Sequence, residues 1–117
     1  MLKIATILFV LTALGGLLMA TIRFGGRRNP PAWLAMLHGL LAASGLTLLV
    51  YAVCTMPVPA SAKLAAALFV LAAGGGAILS LAYKWKQILL PAWLVIGHAT
   101  LAIVAFVLLV LAAYGSA

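Results

Sequence analysis

Displaced by 60 positions, the chain falls on itself without a gap: Pro31-Ala32-Trp33-Leu34 meets Pro91-Ala92-Trp93-Leu94, and His38 meets His98. These are its only two histidines. Upstream, the same offset lays Leu8-Phe9-Val10-Leu11 on Leu68-Phe69-Val70-Leu71, Gly15-Gly16 on Gly75-Gly76, and Lys3 on Lys63. Of the 55 pairs from Lys3/Lys63 to Pro57/Ala117, 20 are identical. Residues 3–57 and 63–117 therefore read as two tandem copies of one unit, a pattern common in membrane folds. Any activity has to be built from two copies of that unit.

The unit is too apolar to enclose itself. With 117 residues, 68% of them hydrophobic, and a mean hydropathy of +1.37, the chain has more apolar surface than a core of its size can bury. Lipid is the expected solvent. Runs of about 20 apolar residues cross a bilayer as helices, and four are legible: Ile4 to Ile22, Pro31 to Thr55, Leu64 to Tyr83 and Pro91 to Tyr114. Each copy is one helical hairpin. Short connections make consecutive spans antiparallel neighbours, so the expected fold is all-α. It is an integral membrane up-and-down four-helix bundle of two tandem hairpins, one membrane domain over residues 1–117. The first run also fits a secretory signal peptide behind Lys3, but the same segment recurs as the third run, which favours a retained span.

The charge follows the same plan. Seven Lys or Arg and no Asp or Glu give a net charge of +7, which in a soluble protein would suggest nucleic acid. Here the cations sit at span ends, as the positive-inside rule requires, and no nucleic-acid partner is expected. Arg23, Arg27 and Arg28 lie between spans one and two, Lys84 and Lys86 between three and four, and only Lys3 and Lys63 on the other side. Both basic loops are expected in the cytoplasm and both termini outside, in a bacterial-type inner membrane. Trp33, Trp93 and Trp85 fall at the basic interface, where indoles anchor helices. Asn29 and Ser61 are candidate helix caps. Cys54, the single cysteine, reads as a small apolar residue.

Imidazole in hydrocarbon needs partners. The two copies share one orientation, so His38 and His98 are expected at one depth on parallel spans two and four. Each lies seven residues past its proline, about 10 Å below the basic end at a rise of about 1.5 Å per residue. Gly15-Gly16 and Gly75-Gly76 come to the same level by the same count. In a square bundle the two histidine-bearing helices are diagonal, about 11–14 Å apart, a separation that suits two imidazoles ligating one metal from opposite sides.

This layout resembles membrane b-type cytochromes, in which histidines on alternate helices ligate haem and small residues make room for it. The resemblance rests on His38, His98, Gly15, Gly16, Gly75 and Gly76. It implies one haem b with His38 and His98 as axial metal ligands, and one-electron transport to quinones or partner subunits. Haem propionates would need cations, for which Arg23, Arg27, Arg28, Lys84 and Lys86 are the candidates; anionic lipid headgroups are their alternative partners. Two other functions stay open. One is a cofactor-free accessory subunit, in a homo-oligomer or a larger membrane complex, packing through glycine strips. The other is a quinone or small-ligand site at the histidines. The absence of any carboxylate excludes the glutamate-dependent proton coupling of small multidrug transporters, which the chain resembles in size. It also removes the carboxylate that would orient a Ser-His pair.

Overall fold

The structure, a computed structural model, describes residues 1–115. It comprises four helices: α1 (Leu2–Gly25), α2 (Ala32–Thr55), α3 (Ala60–Ile78, continuing as a π-helical segment, Leu79–Lys84) and α4 (Ala92–Tyr114). Each is long and apolar enough to cross a membrane. Three of them start where proline fixes an extended residue ahead of the first turn, with Pro31, Pro59 and Pro91 at the N-cap. Proline has no N–H to leave orphaned there, and it stops the helix from running backwards. No N-cap carries a side-chain hydrogen bond. Ser61 therefore lies inside the first turn of α3 rather than capping it.

The helices form a four-sided bundle. Each packs on its neighbours in the order α1, α2, α3, α4 and back to α1, most closely within the hairpins α1/α2 and α3/α4. The C-terminal ends of α1 and α3 and the N-terminal ends of α2 and α4 thus share one end, with the loops that carry Arg27, Arg28 and Lys86. We call this the basic end.

The core is narrow and built largely of alanine. Ala5, Ala62, Ala65 and Ala105 are sealed completely, with Leu49 and Leu109, and so many small side chains let the helix backbones approach closely. Into this core Phe9 of α1 and Phe69 of α3 project from diagonal corners and stack, with ring centroids 3.9 Å apart and planes 6° from parallel. Phe9 is received by Gly45, where an added Cβ would stand 3.0 Å from the ring; 60 positions on, Ala105 replaces that glycine and is buried in the same core as Phe69.

The outward faces reverse the pattern of a water-soluble bundle. Only 11–28% of each helix's apolar window is buried, so most leucines and isoleucines point away from the core, with Leu17, Leu40, Leu81 and Ile103 all more than 60% exposed.

Two features of the basic end depart from the regular helix expected there. The α3 helix widens over its last six residues into π-helix, closed by hydrogen bonds from Trp85 N–H to the Ser80 carbonyl and from Ile88 N–H to that of Tyr83, each 2.8 Å. The turns then reverse through Arg27 (φ 52°) and Gln87 (φ 58°), two non-glycine residues in the left-handed region, 60 positions apart.

Candidate functional site

The histidines are placed by glycine. On α1, Gly16 carries no side chain where α2 passes, and His38 lays its ring against that gap; a Cβ at Gly16 would stand 3.0 Å from His38 Cε1. On α3, Gly76 does the same for His98, at 3.1 Å. A Cβ added at Gly15 or Gly75 would meet the histidine Cβ at ordinary contact distance, 3.8 and 3.7 Å. Each ring thereby reaches the backbone of the neighbouring helix. His38 Nδ1–H donates to the Thr12 carbonyl at 2.8 Å, and His98 Nδ1–H to the Ala72 carbonyl at 2.6 Å. Those carbonyls lie four residues before Gly16 and Gly76, one helical turn back, so the missing side chain opens the lane to them.

This contact fixes the chemistry of the rings. A carbonyl only accepts, so Nδ1 must carry the proton, and in a neutral imidazole Nε2 is then a bare lone pair. That is the tautomer in which histidine ligates a metal, with its second nitrogen held by a carbonyl. The two rings come from diagonal corners and meet across the bundle, centroids 6.2 Å apart and planes at 68°, both half-buried. Two metal–imidazole bonds of about 2 Å, plus about 1 Å from each ring centre to its nitrogen, span about 6 Å. The donor set and its spacing fit one metal centre with two imidazole ligands. Among the described residues no group of three or more His, Cys, Asp or Glu side chains that could hold a metal occurs.

No family model matches this chain, and neither does any curated protein or solved structure. The site therefore rests on its own geometry.

The remaining site candidates divide by position. Gly15, Gly16, Gly75 and Gly76 lie at the histidine level, where the rings themselves occupy the space the glycines leave. Arg23 stands at the basic end of α1, half-buried, and its Nε–H donates to the Leu90 carbonyl at 2.7 Å. Lys84 is half-buried at the end of the π segment, while Arg27, Arg28 and Lys86 are exposed in the two loops. None of these cations meets a carboxylate side chain, because the chain has none.

Asn29 does something other than cap α2. Its Nδ2–H donates to the Ile88 carbonyl at 2.8 Å and its Oδ1 accepts from Leu90 N–H at 2.9 Å. The amide thus makes two hydrogen bonds to the backbone of Ile88 and Leu90 and ties the basic loop of one hairpin to that of the other. The Thr12 and Ala72 carbonyls also went unseen in the sequence, although the equal spacing of 26 residues from carbonyl to histidine in both halves is a signal that could have found them.

Proposed function

We propose that this chain is an integral membrane protein of two tandem helical hairpins that binds one haem b between His38 and His98 and passes single electrons. The observation that carries this is the opposed pair of imidazoles, each with Nδ1–H pinned to a carbonyl and Nε2 left as a lone pair. With their ring centres 6.2 Å apart, two such lone pairs are suited to share one Lewis acid. Haem, when bound, supplies the one-electron couple. The protein fixes the tautomer, holds the rings against the α1 and α3 backbones, and surrounds them with low-dielectric side chains. The apolar outward faces support lipid as the solvent, and the equivalent placement of Phe9/Phe69, His38/His98 and Arg27/Gln87 supports duplication. The basic loops belong in the cytoplasm by the positive-inside rule, and both termini outside. With so little mass beyond the helices, the redox partners are quinones or neighbouring membrane subunits.

The test is the absorbance spectrum of protein expressed with ample haem. A low-spin Soret band that disappears in both His38→Ala and His98→Ala is expected; no band at all, or one that survives both substitutions, refutes the assignment. A reporter fused at the C-terminus should be active outside the cytoplasm.

A second reading has its own support. Each Nδ1–H bond ties α2 to α1 or α4 to α3, so the histidines also serve as fasteners within the hairpins, which suits a cofactor-free accessory subunit. A quinone is less well served, because its carbonyl oxygens require an N–H that the pinned neutral tautomer already spends on the backbone.

A further inference from the structure

The halves agree at the histidines and disagree at the basic end. The 14 pairs from Leu17/Ala77 to Pro30/Leu90 contain no identity, and there the two hairpins contribute different parts to one construction. The first supplies Arg23 and Asn29; the second supplies the backbone of Ile88 and Leu90, to which both side chains bond. The position matching Arg23 is Tyr83, and that matching Asn29 is Leu89. The arrangement therefore exists once per chain.

Its centre is a guanidinium held in place. Arg23 Nε–H is bound at 2.7 Å to the carbonyl of Leu90, a residue only 7% exposed. That carbonyl is itself immobilised, since Leu90 N–H is bonded to Asn29 Oδ1 and Ile88 C=O to Asn29 Nδ2. The Phe24 ring lies 5.2 Å from the guanidinium carbon. Among the described residues the two Nη groups have no hydrogen-bond partner, and no acidic side chain exists to supply one. An arginine fork whose orientation is already fixed loses little freedom on binding, and it matches a carboxylate or phosphate through two parallel N–H···O bonds. Arg27, Arg28, Lys84 and Lys86 add positive charge at the same end of the bundle.

We infer that Arg23 is a preset receptor for one anionic oxygen group from outside the chain, a phosphate or a carboxylate. At the end of a bundle that crosses a membrane, two sources lie within reach: the headgroup phosphate of an anionic lipid, and a propionate of a haem held at the histidines. The receptor itself does not depend on haem, because every contact that builds it is made by the chain alone.

Native mass spectrometry of the full-length, haem-free protein in mild detergent, with phosphatidylglycerol or phosphatidylcholine added, tests this. One phosphatidylglycerol should be retained in preference to phosphatidylcholine. Retention should fall about tenfold or more in Arg23→Gln, the loss expected for a charge-assisted hydrogen-bonded pair. It should fall less in Arg23→Lys, which keeps the charge without the fork, and little in Arg27→Gln. Undiminished retention in Arg23→Gln, or a loss in Arg27→Gln as large as in Arg23→Gln, overturns the receptor. If Arg23→Gln does not fold, Arg23→Lys carries the comparison, and retention equal to the wild type counts against the fork. Haem loading then separates the sources: displacement of the lipid identifies a propionate in the fork, and its persistence identifies a headgroup. Failure of haem to bind leaves the lipid result standing.

Discussion

His38 and His98 confront each other with ring centres 6.2 Å apart, yet each is hydrogen-bonded within its own hairpin, to Thr12 and Ala72, and not to the other. Nitrogen NMR of haem-free protein carrying labelled histidine should show the Nδ1–H tautomer at both residues. An Nε2–H tautomer at either would mean that the carbonyl bond is absent and Nε2 unavailable as a ligand.

The glycine steps should differ sharply in tolerance. Gly16→Ala and Gly76→Ala place a methyl at 3.0 and 3.1 Å from an imidazole carbon, so the ring has to shift against its carbonyl bond, at an expected cost of about 1–3 kcal/mol. Gly15→Ala and Gly75→Ala meet ordinary contacts, and Gly39→Ala and Gly74→Ala meet open space. Unfolding in mixed micelles against denaturing detergent ranks the six, and equal losses across the series would remove the seat as the glycines' role.

Stacking of Phe9 on Phe69 should make their contributions interdependent. Either truncation to alanine opens a cavity worth about 3–5 kcal/mol, and the double variant should cost less than the sum by about 0.5–1.5 kcal/mol, the extra worth of an aromatic pair. Additive losses in the same unfolding measurement would show that the rings pack independently. Gly45→Ala, whose methyl would stand 3.0–3.2 Å from the Phe9 ring, should weaken the stack by about 1–3 kcal/mol.

Asn29→Ala should release the second basic loop. Both amide bonds disappear and Leu90 N–H loses its acceptor, so hydrogen exchange at Leu90 should accelerate about tenfold or more for a loss of roughly 1–3 kcal/mol. Asn29→Asp keeps the acceptor but loses the donor to Ile88, and should fall between. Unchanged exchange in Asn29→Ala would show that the loops hold together without the amide.

Much of the helical layout was written in apolar run length. The expected spans differ from the observed helices by four residues or fewer at each end, because span length and proline punctuation are local signals. The common level of His38, His98 and the glycines was also legible from counting along the helices. Other features depend on what one hairpin presents to another. Asn29 after a glycine–arginine stretch looks like a cap, and only the approach of Ile88 and Leu90 gives its amide a better partner. Gly16 looks like a general contact point between helices until the ring of His38 is seen lying on it. The π-helical close of α3 had no local mark, since Leu79–Lys84 contains no proline or glycine to announce a break.

A side chain on the central line of this bundle touches its own counterpart, as Phe9 touches Phe69. In an assembly of two separate, identical chains, such positions can only change together. Here both members belong to one polypeptide, and either can be altered while the other stands. Thr12 already meets His38 where Ala72 meets His98, and Gly45, which receives Phe9, has alanine, Ala105, as its counterpart. The two imidazoles therefore sit in distinguishable surroundings, and each is open to separate substitution.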